Sequence, residues 1–437
     1  MLLVVLGGVA VGVSISRPVI GVAIAFVLVP IGNVGLVGIP SLADSEAPVW
    51  LLPLAWTAFI FLVSLARLSA GPRREEPPRL LIVLGLYLAA ALGATAFVDD
   101  LSAAIPLLRS LFTGFLLFLS VAFVVRTRTD VQWILGGIAL TAAIIGAYAG
   151  YQYTSGYAGS EGFITTSGEL VQRATGGLGH PNAAGGFFAM LAPLIVVGGL
   201  LARRGRSLYM VAFGLALVGL YVSFSRASLL ALALAPIFLL RDRRTLLLVP
   251  LLVVLLLTAA PSLVEERFAT LTSDGSELAT RADFFRTAQF IWTQQPVLGV
   301  GLGGFPEAYA DARLAGKQFL PTTVFQPPPD AHNIFLQLLA EQGVIGLLAL
   351  LGLLTVAVRS ALTVAKVGGW AGTFGIGVLA VLAVFLVTNQ FSVTFLEVNA
   401  TIFVGILGLL SAVHAIALRE EVDAGSDAPT LRQTAAQ

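Results

Sequence analysis

Apolar residues in this chain come in unbroken stretches, separated by short polar punctuation. The stretches fall near residues 2–15, 19–37, 49–68, 80–98, 104–125, 131–150, 182–202, 207–223, 227–240, 245–260, 333–358, 369–388 and 391–417. Continuous runs of about 18–25 apolar residues predict membrane-spanning helices. A β-barrel is excluded, because its strands alternate lipid-facing and lumen-facing residues. The first two runs are short or poorly separated, so the pattern predicts 12 or 13 spans. Leu2 to Val13 lacks a basic leader and runs through Ser16-Arg17-Pro18 into a second apolar stretch, which reads as membrane helix rather than a cleavable signal. The expected class is an all-α integral membrane protein.

The polar punctuation is asymmetric. Basic clusters at Arg67/Arg73/Arg74/Arg79, Arg126/Arg128, Arg203/Arg204/Arg206, Arg241/Arg243/Arg244 and Arg359/Lys366 fall on alternate loops. Arginine-rich loops face the cytoplasm, so these five and the tail from Arg419 are expected there. The opposite, external face receives the remaining loops. Among them is one of about 70 residues, a length that is usually functional. The expected division is membrane helices over 1–260, a large external loop over 261–330 that contains helices, three last spans over 331–417, and a disordered cytoplasmic tail over 418–437.

Composition agrees: 57% hydrophobic and 11% charged residues, with a mean hydropathy of +0.93. These values lie outside the range of soluble globular chains. A net charge of +1 gives no electrostatic case for nucleic acid. The chain has no cysteine, which removes disulfides, thiolate chemistry and thiolate metal sites. No HExxH, Walker loop, paired-carboxylate motif or metal-ligand cluster is present, so no metal or other cofactor is expected.

In the long loop, residues 276–295 read as a helix that Pro296 ends. Phe284, Phe285, Ala288 and Trp292 form its apolar stripe. At about 100° per residue, Arg281 lies on that stripe and Arg286 lies about 140° away. Arg281 is therefore expected to face the protein or a cavity, and Arg286 water or headgroups. The following Gly299-Val300-Gly301-Leu302-Gly303-Gly304 lacks the βαβ setting of a nucleotide fingerprint and reads as a tight turn.

Chemistry concentrates in two external segments, Gly179-His180-Pro181-Asn182 and Asp330-Ala331-His332-Asn333, which hold two of only three histidines. Imidazole titrates near neutrality and suits proton transfer. His332 is expected at the start of a helix capped by Asp330, where the helix N-terminus favours the neutral form; it is either a base or a headgroup-boundary residue. His180, with Pro181 opening a helix behind it, reads more as a junction residue than a base. Asn333, Gln337 and Glu341 recur at i, i+4 and i+8, placing Glu341 about 13 Å below His332. That carboxylate is either structural or part of the site. Arg226 stands between serines at an external helix junction, suited to a phosphate or oxyanion. Arg109 and Arg173 could add charge to the same cavity. His414, near the other face, reads as structural.

Gly-His-Pro-Asn, Ser225-Arg226, Arg281, the segment Gln295-Pro296-Val297-Leu298-Gly299-Val300-Gly301 and His332-Asn333 with Gly343 and Gly346 downstream together resemble the bacterial O-antigen ligase and polymerase superfamily. The likeness spans roughly residues 60–415. It implies a GT-C-like integral membrane glycosyltransferase with a periplasmic loop packed over its site. Such enzymes take a glycan from an undecaprenyl-diphosphate-linked donor and pass it, with inversion, to an acceptor hydroxyl. The acceptor is lipid A–core or a similar glycolipid for a ligase, and a second lipid-linked repeat for a polymerase. The implied setting is the bacterial inner membrane, with the site facing the periplasm. Carried over by position, Arg226 and Arg281 bind the diphosphate, and His332 orients or deprotonates the acceptor. The ligase pattern usually has threonine after the second glycine, where this chain has Leu347. A lipid-linked oligosaccharide transporter is the competing class, disfavoured because the polar residues gather at one face rather than at the bilayer midplane.

Overall fold

The computed structural model describes residues 2–33, 51–68, 78–98, 100–156, 162–164, 170–235, 237, 277–315, 330–395 and 397–426. The expected span at 245–260, the arginines at 73, 74, 241, 243 and 244, and residue 276 lie outside these. The chain opens with α1 (Leu2–Ser16), α2 (Pro18–Asn33), α3 (Leu52–Leu68) and α4 (Arg79–Ala94). Then come α5 (Leu101–Val124), α6 (Arg128–Ser155), α7 (Pro181–Leu201), α8 (Arg206–Val222) and α9 (Arg226–Leu234). Two extramembrane helices follow, α10 (Glu277–Gln294) and α11 (Phe305–Leu314), and then α12 (Ile334–Val367), α13 (Gly369–Phe391) and α14 (Glu397–Ser426). Among the described residues, six helices are long and apolar enough to cross a membrane. Two three-residue strands between α6 and α7 pair antiparallel, Phe163 opposite Val171, within an otherwise all-α fold.

Local signals set the helix ends. Thr127 and Asp130 close a capping box at α6. Pro181 opens α7 at a position whose missing N–H costs nothing. The bundle is built around α7 and α14, which are buried along most of their length. α14 packs along α5, α6 along α8, and α12 along α13 and α4.

The described basic clusters gather at one end. The Arg128 guanidinium and the Gln132 amide both donate to the Leu201 carbonyl, joining the start of α6 to the end of α7. Arg126 lies close enough to Arg419 for their charges to repel. The last helix outruns its expected limit at 417 and continues to Ser426, so the expected disordered tail begins with helical turns. Arg419, Glu420 and Glu421 are good helix formers, and the Trp370 indole donates to the Glu420 carboxylate at 3.3 Å.

α12 is two helices in one. Gly343, at φ 61° and ψ −161°, interrupts it. The chain between α10 and α11 fills the break: Val300 and Gly301 N–H donate to the Ala340 and Glu341 carbonyls, and Val344 N–H donates to the Pro296 carbonyl, each at 2.9 Å. Irregular backbone at membrane depth survives only when protein satisfies its polar groups. A Cβ on Gly343 would collide with the Val297 carbonyl, and one on Gly299 with the backbone at Ala340 to Gln342. The glycine-rich segment is thus a turn, as expected, and also one half of a backbone-to-backbone contact.

Candidate active site at the helix mouths

At the end opposite the basic clusters, the helix mouths carry His332 and its neighbours. Asn333, not Asp330 as expected, caps α12: its Oδ1 accepts from Phe335 and Leu336 N–H at 3.0 and 3.1 Å. Its amide nitrogen donates to the carbonyl and the side chain of Gln390, both at 3.2 Å, tying α12 to the end of α13. Both ends of its amide are thus held by the fold. Asp330 instead turns back on the loop, its Oδ1 accepting from His332 N–H at 2.6 Å.

This turn holds His332 at φ 52°, a conformation that L side chains rarely adopt. Its Nδ1 lies 3.3 Å from Asp330 Oδ1. Its ring packs against Phe284 of α10, with centroids 5.3 Å apart. Burial pushes the Asp330 carboxyl above the ordinary carboxylate range, while His332 and Arg281 hold it down. Arg281 is half-buried and its charge reaches Asp330; Arg286 is exposed, as the helical spacing required. The stripe is turned slightly from expectation. Phe284, Ala288 and Ile291 are buried, whereas Trp292 is half-buried and donates to the Pro296 carbonyl.

The second cluster sits at the mouths of α7, α8 and α9. His180 caps α7, its Nδ1 accepting from Asn182 N–H at 3.0 Å. Burial, with Arg173 and then His332 adding, depresses its imidazole to about 4, so it is neutral at physiological pH. The two histidines expected at one face are therefore neighbours in space. Arg173 is buried; its guanidinium donates to the Ser223 carbonyl at 2.9 Å and to Asn182 Oδ1 at 2.7 Å. It locks the α6–α7 connection onto the α8–α9 corner. The next residue after Ser223, Phe224, has φ 49°, and Arg226 starts α9 just beyond. Among the described residues, only Phe224 and His332 are non-glycines at positive φ. Such strain collects at functional sites; His332 lies in a segment singled out above, and Phe224 immediately precedes Ser225-Arg226. Arg109 is half-buried two turns into α5.

Glu341 is anchored under the site. Its Oε1 accepts from Gln337 Nε2 at 2.7 Å and from Phe305 N–H at 3.3 Å, and Gln337 Oε1 accepts from Ala331 N–H at 2.6 Å. The carboxylate thereby fixes the start of α11 and the residue preceding His332, a structural use of the polar stripe. Three groups escaped sequence reasoning. Gln390 had only its place at the end of an apolar run as a signal. Asp283, buried and accepting from Tyr309 at 2.9 Å, sits among helix-forming polar residues with nothing to mark it. Asp330 was visible, but as a cap rather than as the partner of His332.

These features define a polytopic helical membrane protein whose extramembrane helices fold over a histidine–arginine cluster at one end of the bundle. Residues 211–351 match the family model described as O-antigen ligase, Wzy_C, which supports membership of the O-antigen ligase and polymerase superfamily. The matched stretch includes Arg226, Arg281, His332 and the α12 break, and leaves out Arg109, Arg173 and His180. No curated protein matches the chain.

Proposed function

We propose that the protein transfers a glycan from an undecaprenyl-diphosphate-linked donor to an acceptor hydroxyl, in the manner of an O-antigen ligase. The observation that carries this reading is the convergence of His332, Asp330 and Arg281, inside the stretch that matches the family. In the proposed reaction Nε2 of His332 takes the acceptor hydroxyl proton as that oxygen attacks the anomeric carbon. The bond from that carbon to the phosphate oxygen breaks, inverting the centre, and the diphosphate leaves on its lipid. Asp330, beside Nδ1, orients the ring and stabilises the imidazolium, as a carboxylate does in a catalytic triad. Arg281 and Arg226 take the charge that grows on the diphosphate, with no metal required. By the arginine asymmetry the site faces the periplasm of a bacterial inner membrane, with the C-terminus in the cytoplasm.

One observation favours the polymerase reading: Leu347 stands where ligases usually have threonine. The same donor site would then serve a second lipid-linked repeat as acceptor. Purified protein supplied with a lipid-diphosphate-linked glycan, with and without lipid A–core, separates the two. Transfer that needs the core and falls by about 10²–10⁴ in His332→Ala supports the ligase, and elongation without it the polymerase. Glycolipid flipping in liposomes without turnover would replace both with a transporter.

A further inference from the structure

At the arginine-rich end, far from the histidine cluster, a cavity of about 320 Å³ opens between the last turns of α12 and residues 414–418 of α14. That is an order of magnitude larger than the space a single water needs. Two of the groups lining it are basic, Lys366 and His414, and Arg79 at the start of α4 lies near enough for its charge to reach His414. Thr363 also lines it, but its hydroxyl donates to the Arg359 carbonyl at 3.0 Å and offers nothing to an anion. Glu420, two residues beyond Leu418, accepts instead from Trp370 of α13. The rest of the wall is apolar: Val364 and Ala417 are fully buried, and Leu418 is exposed.

We propose that this cavity binds the phosphate of an anionic phospholipid headgroup. Lys366 supplies a compact, strongly donating charge of the kind that holds phosphate. The level is right, since both helices leave the apolar layer here, and basic pockets between helices at the positive end bind such headgroups. The apolar flank at Leu418 suits the glycerol and upper chain of a lipid, which a soluble anion would not need. This site is independent of the glycan-transfer reading.

The test is the thermal midpoint of the full-length protein in nanodiscs of phosphatidylcholine with rising fractions of phosphatidylglycerol. Wild type should gain a saturable rise, because ligand binding to the native state stabilises it. Lys366→Ala should weaken the response by about tenfold, the loss of one charge-assisted contact, and His414→Ala, which removes a neutral N–H donor, should weaken it less. Arg359→Ala removes a cation from the same helix outside the cavity and should respond as wild type does. Equal responses in wild type and Lys366→Ala, or an equal loss in Arg359→Ala, would overturn the site. Protection by inorganic phosphate alone would assign it to a soluble anion and overturn the lipid.

Discussion

His332 owes its geometry to three neighbours. Asn333 caps the helix behind it, Phe284 packs its ring, and Asp330 both bends the backbone and faces Nδ1. Asp330→Asn keeps the size and an oxygen for the His332 N–H but removes the charge. Removing the negative charge that faces Nδ1, an interaction on the scale of about 1.5–3 kcal/mol, predicts a fall in kcat of roughly 10–100-fold. Because the Asp330 carboxyl titrates above the ordinary carboxylate range, wild-type kcat should decline as pH falls through that raised value. The variant should lack this limb of the pH–rate profile; an unchanged limb would separate Asp330 from His332. His180 makes a second pH prediction, this time on stability. The unfolded chain takes up its proton near 6.5, whereas the folded chain resists until about 4. Stability is therefore complete above 6.5 and is lost progressively as pH falls towards 4. His180→Asn can still cap α7, so its thermal midpoint should fall less steeply over that window.

Among the elements, the break in α12 governs the site, because the chain between α10 and α11 docks into it and carries Arg281 and Phe284 into place. Gly343→Ala should lower the thermal midpoint sharply, since its conformation is open only to glycine and costs another residue about 1–3 kcal/mol before any clash. Gly352 lies on the same helix with nothing within 4 Å of an added Cβ. Gly352→Ala should be neutral or stabilising by about 0.5–1 kcal/mol. If the two substitutions behave alike, the docking is not what holds the loop. The comparison also marks what the sequence could disclose. Helix positions were legible because an apolar run of that length has one solution in a bilayer, and the facing of Arg281 followed from local spacing. The docking of the two glycine segments was not legible, because it joins residues some 40 apart through backbone atoms that carry no sequence signature. The same holds for Asn333 with Gln390, whose partner stands on another helix. The end of the apolar stripe was misread because positions i+7 and i+8 lie about 100° apart and only packing chooses between Ile291 and Trp292.

At the scale of the whole molecule, the charge asymmetry and the site stand at opposite ends of one bundle. The described clusters meet at one end through bonds such as Arg128 and Gln132 to Leu201, while His180, His332 and Arg281 meet at the other. One topological assignment therefore fixes both faces. The lack of cysteine makes this measurable with no background. Arg286, exposed on α10, and Arg204, exposed between α7 and α8, are positions where a cysteine is accessible from opposite sides. In intact spheroplasts, a membrane-impermeant maleimide should label Arg286→Cys and spare Arg204→Cys, and permeabilisation should make the two equal. The reverse pattern would put the histidine cluster in the cytoplasm. A hydroxyl acceptor delivered on the periplasmic face could not then reach it, and the transfer reading would fall together with the orientation. Labelling of both before permeabilisation would contradict the separation of the two ends, on which the fold itself depends.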